Sequence, residues 1–184
     1  YQPVLTIKPG QSQRWRVLNA TNARYLRLAL TGHTMTLIGT DGGLLRSPVP
    51  GLNDILLAPA ERMEVIVTAS LSASSSAVLQ SLPYDRGGVG MMGTSSTTIA
   101  LLTVNYTSAA TAAVALPGAL NSIADLGVAT TNKRLVFSSG MGMGGMGGGM
   151  MSFLIDGKSF DPARIDLTSH VNEVEQWTIE NRSS

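Results

Sequence analysis

The chain has 184 residues, with 20 Gly, 9 Met, 2 His and no Cys, and its 13 Lys and Arg nearly balance its 12 Asp and Glu. This length predicts one domain, or one domain with part of a second. A chain without Cys forms no disulfide, zinc–thiolate site, thiol nucleophile or cysteine-ligated copper. A net charge of +1 argues against nucleic-acid and anionic-membrane partners, and no apolar run is long enough to span a bilayer. The start at Tyr1, without an initiator Met or signal peptide, predicts a mature fragment.

Short apolar runs separated by turn formers follow one another through the first half of the chain. Several of them alternate apolar with polar residues, which is the period of a half-buried strand. Their regular spacing favours an all-β antiparallel sandwich or barrel. In chain order, the predicted strands are Val4–Ile7, Arg14–Leu18, Tyr25–Leu30, Thr36–Gly39, Asp54–Leu57, Met63–Thr68, Ser76–Gln80 and Ile99–Val104.

The second half of the chain is less regular. A Gly/Met/Ser loop at 86–96 and an Ala/Thr/Ser-rich stretch at 107–115 interrupt the strands. Ala119–Leu126 follows Pro and Gly and is the one segment with a helical signal. Strand signals return at Arg134–Phe137, stop at a low-complexity tract from Gly140 to Met151, and resume at Phe153–Ile155.

An internal repeat relates the two ends of the chain. Leu5–Asn19 aligns with Leu167–Asn181 at a constant offset, so that Leu, Thr, Trp and Asn coincide. Gly10 and Asn172 match as turn formers. The repeat predicts a second, truncated copy of one β-module. The alternative is two unrelated hairpins that share a Trp.

The matched hairpins carry a family resemblance. The run Ile7–Ala20 (IKPGQSQRWRVLNA) resembles the opening of the middle cupredoxin domain of three-domain multicopper oxidases. Later segments of that domain are similar to His33–Leu45, Leu57–Val67 and Leu82–Gly87, and the start of the third domain resembles Phe153–Asp161 and Val174–Asn181. The ordered set covers nearly the whole chain.

This resemblance implies a domain organisation. It places a Greek-key, cupredoxin-like β-sandwich or barrel at residues 1–106 and a linker, with room for a short helix, at 107–133. A partial cupredoxin segment at 134–184, the truncated N-terminal part of a second such domain, would follow. Its unpaired strands would favour self-association.

The resemblance also implies an activity for the parent protein. Laccase-like and cuprous-oxidase-like enzymes oxidise phenolic, amine or metal-ion substrates at a type 1 copper and reduce dioxygen to water at a trinuclear copper cluster. A type 1 site needs two His and a Cys thiolate, and the cluster needs several His-x-His pairs. This chain has no Cys and no such pair. The resemblance therefore implies that flanking cupredoxin domains of the same polypeptide hold the copper, that this chain alone is inactive, and that the protein is periplasmic or secreted.

Other candidate residues are interpreted as structural. His33 and His170 do not correspond to catalytic ligands in the resemblance, and we expect their rings to be hydrogen-bonded polar groups. Arg14 and Arg16 alternate with a Trp and predict either a solvated strand face or a position at a domain interface. Glu64 is expected on a solvated face as well, and no pair of carboxylates indicates acid–base chemistry.

The methionines form the remaining candidate site. Met141, Met143, Met146, Met150 and Met151 lie in one glycine-rich tract, and Met91 and Met92 lie in another. Thioethers are soft donors suited to Cu(I), so the longer tract is either a Cu(I) site or a linker without metal. Two alternatives to an oxidase fragment therefore stay open: a non-enzymatic copper-binding or copper-tolerance protein, and a plain β-sandwich binding module.

Overall fold

The computed structural model describes residues 2–70, 76–85, 94–95, 97–141 and 151–183. Within these ranges the chain forms strands, turns and extended segments, and it has no helix that could cross a membrane. The described residues up to Ile123 form one compact unit, unit 1, and those from Ala124 form unit 2. The prediction of an all-β, cupredoxin-like sandwich is confirmed.

Unit 1 contains the predicted strands and three more. In chain order they are β1 (Val4–Ile7), β2 (Ser12–Leu18), β3 (Leu26–Leu30), β4 (Met35–Thr40), β5 (Gly43–Leu52), β6 (Ile55–Leu57), β7 (Arg62–Thr68), β8 (Ser76–Leu82), β9 (Tyr84–Asp85), β10 (Thr94–Ser95) and β11 (Ile99–Tyr106). One sheet has the order β2-β7-β4-β5 and the other β1-β11-β8-β3-β6, while β9 and β10 pair separately. Strands β1 and β11 run parallel, and the other neighbours are antiparallel.

Both sheets contribute to one hydrophobic core. Val65 and Val67 of β7 and Met35 of β4 are buried from the first sheet, and Trp15 and Val17 of β2 pack against the same cluster. The second sheet and its neighbouring segments supply Ile7, Leu28, Leu30, Ile55, Leu57, Ala77 and Val104. Complete burial of a Leu, Ile or Val stabilises the folded state by about 1.5–3 kcal/mol, so this cluster accounts for the stability of unit 1.

Strand β5 was not predicted from the sequence, because Pro48, Pro50 and Gly51 indicate a turn. Proline cannot donate a hydrogen bond to a sheet, but an edge strand tolerates it. β5 is the edge strand of its sheet. These three turn formers therefore conceal a ten-residue strand from a pattern-based prediction.

The helix predicted over Ala119–Leu126 does not form, and that prediction is wrong. Isolated helices of this length are marginal in water, and here the backbone bonds to β5 instead. The Leu120 N–H donates to the Arg46 carbonyl (2.9 Å), and the Arg46 guanidinium donates to the Ile123 carbonyl (2.8 Å). This part of the predicted linker covers the outer edge of β5.

Unit 2 contains three strands, β12 (Thr131–Met141), β13 (Met151–Ile155) and β14 (Glu175–Asn181). β12 is central, antiparallel to β13 and parallel to β14. Every buried hydrophobic side chain among the described residues lies in unit 1. In unit 2, Phe153 is 75% exposed and Phe160 89% exposed. In the described part of the chain, this sheet has no second layer over its apolar side chains.

The repeat seen in the sequence recurs in the turn that precedes each Trp strand. Gly10 and Asn172 both have a positive φ, 80° and 68°. The Gln11 N–H donates to the Lys8 carbonyl (2.9 Å), and Glu173 N–H donates to the carbonyl of the corresponding residue, His170 (3.3 Å). The same backbone turn therefore opens both copies.

The side chains of the two Trp strands match too. The Trp15 indole donates to the Gln13 side chain (3.0 Å), and the Trp177 indole donates to the Glu175 carboxylate (2.7 Å). At the ends of these strands, Asn19 Oδ1 accepts the Thr21 N–H (3.1 Å), and Asn181 Oδ1 accepts the Ser183 N–H (3.0 Å). The two ends of the chain are thus copies of one local structure.

Asn19 joins its turn to the second sheet of unit 1. Its side chain is fully buried, and Nδ2 donates to the carbonyls of Arg24 (2.8 Å) and Leu57 (3.1 Å). Asn181 is exposed. The repeat therefore offers a buried and an exposed version of the same Asn turn.

We expect Asn19→Ala to lower the free energy of unfolding of unit 1 by about 2 kcal/mol, because the buried Leu57 carbonyl loses its donor and the Arg24 carbonyl keeps only the Thr21 hydroxyl. The matched variant Asn181→Ala should change stability by less than about 0.5 kcal/mol, since its site is exposed. Urea unfolding followed by Trp15 fluorescence in a Trp177→Phe background measures the first variant, and Trp177 in a Trp15→Phe background measures the second. Equal losses would contradict the assignment of a buried anchor to Asn19.

Candidate functional site

The β12–β13 hairpin brings the ends of the methionine-rich tract together. Met141 ends β12, Met151 begins β13, and the two lie opposite each other in the strand register. Met143, Met146 and Met150 lie outside the described residues, as do Met91 and Met92. The two ends of the tract are therefore paired, and Cu(I) binding by its five methionines stays a prediction.

His33 is held by two hydrogen bonds in unit 1. Its Nδ1 lies 2.8 Å from the Thr31 carbonyl and its Nε2 lies 2.7 Å from the Tyr106 hydroxyl. Because a carbonyl can only accept, Nδ1 carries the proton and Nε2 accepts from the phenol. Burial raises the pKa of Tyr106 above its ordinary value. This geometry fits the interpretation of His33 as a hydrogen-bonded structural residue.

His170 lies in the turn that precedes β14, where its carbonyl accepts the Glu173 N–H. Its side chain is exposed. Within the described ranges, no three His, Asp or Glu side chains come together as a metal site would require. Neither histidine therefore has the neighbours of a copper ligand set.

Two acidic residues of unit 1, Glu64 and Asp54, are paired with arginines. Glu64 accepts from Arg14 (Nε to Oε2, 2.6 Å) and lies 3.4 Å from the Arg16 Nε. Asp54 forms a two-bond pair with Arg27 (3.0 and 2.8 Å), which raises the pKa of that guanidinium. Arg14 and Arg16 are exposed, as predicted. Exposed ion pairs stabilise little, and this arrangement indicates a solvated surface.

Unit 2 contains a polar cluster that sequence reasoning missed. Lys133 Nζ lies 2.6 Å from Glu175 Oε1 and also donates to the Thr168 carbonyl. Its ammonium lies 5.1 Å from the Trp177 ring centroid, within the range of a cation–π interaction. The Lys133 and Glu175 side chains are only 14% and 9% exposed. The hydrogen bond from Lys133, more than any other contact, lowers the pKa of Glu175 below its usual value.

In unit 1, a single neutral side chain makes hydrogen bonds to both the indole N–H and the Thr carbonyl that correspond to those of the unit 2 cluster. Gln13 Nε2 donates to the Thr6 carbonyl (3.1 Å), while Gln13 Oε1 accepts from the Trp15 indole. Thr6 and Gln13 align with the Thr and Glu of the unit 2 cluster. A carboxylate cannot donate to that carbonyl, so Lys133 supplies the donor there. In the aligned repeat, Gln13 corresponds to Glu175. This difference is the sequence signal that unit 2 lacks the side-chain donor that Gln13 provides in unit 1.

Unit 2 also has an open cavity of about 680 Å³. Its apolar lining includes Phe137, Phe153, Ile155 and Phe160. Asp166 also lines it, and hydrogen bonds from Arg164 and then Lys158 lower the pKa of this carboxyl to about 2. The lining thus combines aromatic rings with ion-paired residues and contains no His.

Comparisons with known proteins identify relatives of this arrangement. The sequence profile described as multicopper oxidase matches residues 1–108. Over 182 residues, the chain is 31% identical to a multicopper oxidase of Staphylococcus aureus, covering 97% of this chain and 32% of that protein. A laccase of Bacillus subtilis is 41% identical over 78 residues, which are 42% of this chain and 15% of the laccase.

A solved structure agrees with the sequence relatives. The structure of a multicopper oxidase from Campylobacter jejuni, described as a metallo-oxidase, matches with a TM-score of 0.78 and 32% identity. The match covers 100% of this chain and 39% of that one. The chain therefore spans about a third of the length of the relatives that it matches from end to end.

The Lys133–Glu175 pair generates a prediction. We expect Lys133→Met to lower the melting temperature of unit 2 by about 5 °C, because a partly buried carboxylate loses its ammonium and a carbonyl loses its donor. The double variant Lys133→Met/Glu175→Gln should recover most of this loss, since Gln supplies both functions in unit 1. Thermal unfolding followed at Trp177, with Trp15→Phe as background, measures both variants.

The pH dependence provides the control. Since the pKa of Glu175 is lowered in the folded state, its stabilising effect is present above the unfolded pKa and is lost as pH falls through the folded pKa. Lys133→Met should raise the pKa of Glu175 in a ¹³C NMR titration, and its thermal penalty should shrink in acid, where only the lost donor to the Thr168 carbonyl remains. Lys158→Met, which changes a more exposed lysine, should leave the pKa of Glu175 unaltered. A double variant no more stable than Lys133→Met would refute this account.

Proposed function

The chain belongs to the multicopper oxidase family, and from this we propose that residues 1–106 are the middle cupredoxin-like domain of a longer oxidase and that residues 134–184 begin its third domain. The main support is the repeated local structure, which occurs once in a unit with a closed core and once in a unit with an open sheet. The family profile ends at residue 108, close to the end of the first proposed domain.

In this proposal the chain contributes no catalytic copper ligands. The sequence has no Cys thiolate for a type 1 site, and both ring nitrogens of His33 are engaged by Thr31 and Tyr106. The residues present therefore do not fit either copper centre. Copper belongs to the flanking domains, where the parent oxidises a phenolic, amine or metal-ion substrate and reduces dioxygen to water. This chain acts as the spacer that positions those domains.

The open sheet of unit 2 supports the assignment to an incomplete domain. In unit 1, Trp15 and Val17 of β2 pack on a core built by both sheets. The corresponding residues of β14, Trp177 and Ile179, are exposed. We expect strands from the following part of the polypeptide to cover this face. In their absence, the exposed apolar surface favours self-association.

A second candidate function concerns the reducing substrate. Met141 and Met151, the two ends of the methionine-rich tract, lie opposite each other in the strand register, and the C. jejuni relative is described as a metallo-oxidase. These two observations favour a cuprous ion bound by thioethers as the substrate, in a periplasmic or secreted oxidase. A non-enzymatic copper-tolerance protein would use the same tract, whereas a plain binding module is not favoured by the family match.

The spacer assignment predicts a difference between this chain and its parent. Loaded with Cu(II), the 184-residue chain should show no blue thiolate-to-copper absorption and no oxidation of 2,6-dimethoxyphenol, because it lacks the required donors. The parent polypeptide should show both, and its flanking sequence should contain His-x-His pairs upstream and His-Pro-x-His-x-His and His-Cys-His motifs downstream. Turnover by this chain alone would overturn the assignment, and flanks without these motifs would favour the non-enzymatic alternative.

The Cu(I) proposal predicts competition with a chromogenic Cu(I) chelator. Changing Met141, Met143, Met146, Met150 and Met151 to Leu should abolish the competition, because Leu keeps the apolar volume but removes the sulfur donor. The matched control changes Met91 and Met92 to Leu in the other glycine-rich loop and should compete like the wild type. Equal competition by the wild type and the five-residue variant would reduce the tract to a linker.

A further inference from the structure

Strand β2 has one paired and one unpaired side in the described structure. It lies at the edge of its sheet, with β7 as its one neighbour among the described residues. The Asn19 N–H donates to the Glu61 carbonyl (3.0 Å), and the Asn19 carbonyl accepts the Ala60 N–H (2.8 Å). Backbone groups of successive strand residues alternate between the two sides. The N–H and C=O groups of Arg14, Arg16 and Leu18 therefore point away from β7.

The repeat shows what can occupy that side. On β14, the Val174 carbonyl accepts the Thr130 N–H (2.9 Å), and the Arg182 N–H donates to the Phe137 carbonyl (2.7 Å). By the same alternation, Gln176, Thr178 and Glu180 direct their backbone groups to β12. At the constant offset of the repeat, these three residues correspond to Arg14, Arg16 and Leu18. β12 therefore occupies on β14 the side that is open on β2.

We propose that the outer edge of β2, formed by the backbone of Ser12, Arg14, Arg16 and Leu18, is the docking site for a parallel β-strand from the part of the same polypeptide that precedes Tyr1. This inference rests on the proposed function, in which the chain is one part of a longer oxidase. β12 precedes β14 in the chain and pairs with it in parallel. The equivalent partner of β2 would accordingly precede residue 1.

Comparison with the polar cluster of unit 2 predicts which residues the docking strand carries on its core-facing side. In that unit, Lys133 lies opposite Trp177 and Leu135 opposite Ile179. The lysine is needed there because Glu175 cannot donate to the neighbouring carbonyl. In unit 1, Gln13 already provides this donor. The strand that docks on β2 therefore takes apolar residues at both inward positions.

The charges on β2 predict which residues the docking strand carries on its outward side. In unit 2, Arg134 of β12 pairs with Glu180 of β14 (2.5 and 2.9 Å). On β2, the outward positions are Arg14 and Arg16, which share the single carboxylate of Glu64. Opposite charges on neighbouring strands stabilise pairing. The docking strand is therefore expected to alternate apolar residues with an acidic residue opposite Arg16.

A tethered strand tests the proposal on the whole chain. The probe copies residues 131–139 with Lys133→Leu and Arg134→Glu, and a Gly/Ser linker of about twenty residues, with an r.m.s. span of about 25 Å, joins it to Tyr1. The tether supplies an effective concentration of about a millimolar. We expect hydrogen exchange at the Arg14, Arg16 and Leu18 amides, measured by NMR, to slow by about tenfold or more. The Trp15 and Val17 amides, which face β7, should be protected with or without the probe.

Two variants of the probe provide controls without altering β2. Leu135→Pro in the tethered copy removes an N–H that faces β14 in the parent pair, and it should abolish the protection. A probe that keeps Arg134 should protect less, because it brings a third positive charge to Arg14 and Arg16. Equal protection by the Glu and Arg probes would overturn the charge preference.

The remaining outcomes decide whether the outer edge of β2 is a docking site and which strand occupies it. Outer amides that stay unprotected with the probe, or that are already protected in the monomeric chain alone, would overturn the docking site. Protection of the unfused chain that rises with concentration, together with a dimer mass in light scattering, would make a second copy the occupant and overturn the proposed source. The copper and oxidation measurements on the parent do not depend on these results, so failure of the edge proposal is distinguishable from failure of the proposed function.

Discussion

An apolar sheet face in water has to be covered, and this constraint organises the whole chain. In unit 1, β2 and β7 direct alternate side chains against residues of the second sheet, such as Leu57 and Val104, which are buried with them. In unit 2, the repeated Trp strand presents the same kind of face, but the described residues place no second sheet on it. The hydrophobic effect scales with the apolar area removed from water, so a single-layer sheet gains little of it. This contrast supports the proposal that the chain is part of a longer polypeptide.

The same division applies to the copper chemistry. A type 1 centre needs the combined donors of His and Cys, but the chain has no Cys, and the His33 ring is hydrogen-bonded to Thr31 and Tyr106. The donors that the chain does have in number are thioethers, and five of them lie between residues 141 and 151 of the sequence, where β12 ends and β13 begins. Thioethers suit cuprous ion rather than the oxygen-reducing cluster. The proposed roles of spacer and Cu(I)-binding hairpin are compatible because they use different residues.

The sequence predicted the parts of the fold that depend on local pattern. Strands such as β2 and β7 were found because their apolar residues alternate, and the Trp repeat was found because turn, indole and Asn positions coincide. β5 was missed because Pro48 and Pro50 are acceptable only at a sheet edge, a position that a linear pattern does not reveal. The helix predicted at 119–126 is wrong because a local pattern does not reveal a distant partner. The segment has only a weak helical preference and forms hydrogen bonds with Arg46 of β5 instead. The Lys133–Glu175 contact joins residues 42 positions apart, and it becomes predictable only when the two copies are compared.

Comparing the two copies also shows which hydrogen-bond donors each Trp strand needs from a neighbouring strand. Gln13 satisfies both the Trp15 indole and the Thr6 carbonyl, so β2 can fold with its outer side open. Glu175 satisfies only the indole and requires Lys133 from β12 for the remaining carbonyl and for its own charge. In unit 2, the neighbouring strand supplies a side-chain donor that the Trp strand lacks. In unit 1, the Trp strand has this donor itself and does not need a neighbouring strand for it. The closed core and self-sufficient Gln of unit 1 fit the proposed role of a spacer, whereas for the open sheet of unit 2 we expect covering strands from elsewhere in the proposed longer polypeptide.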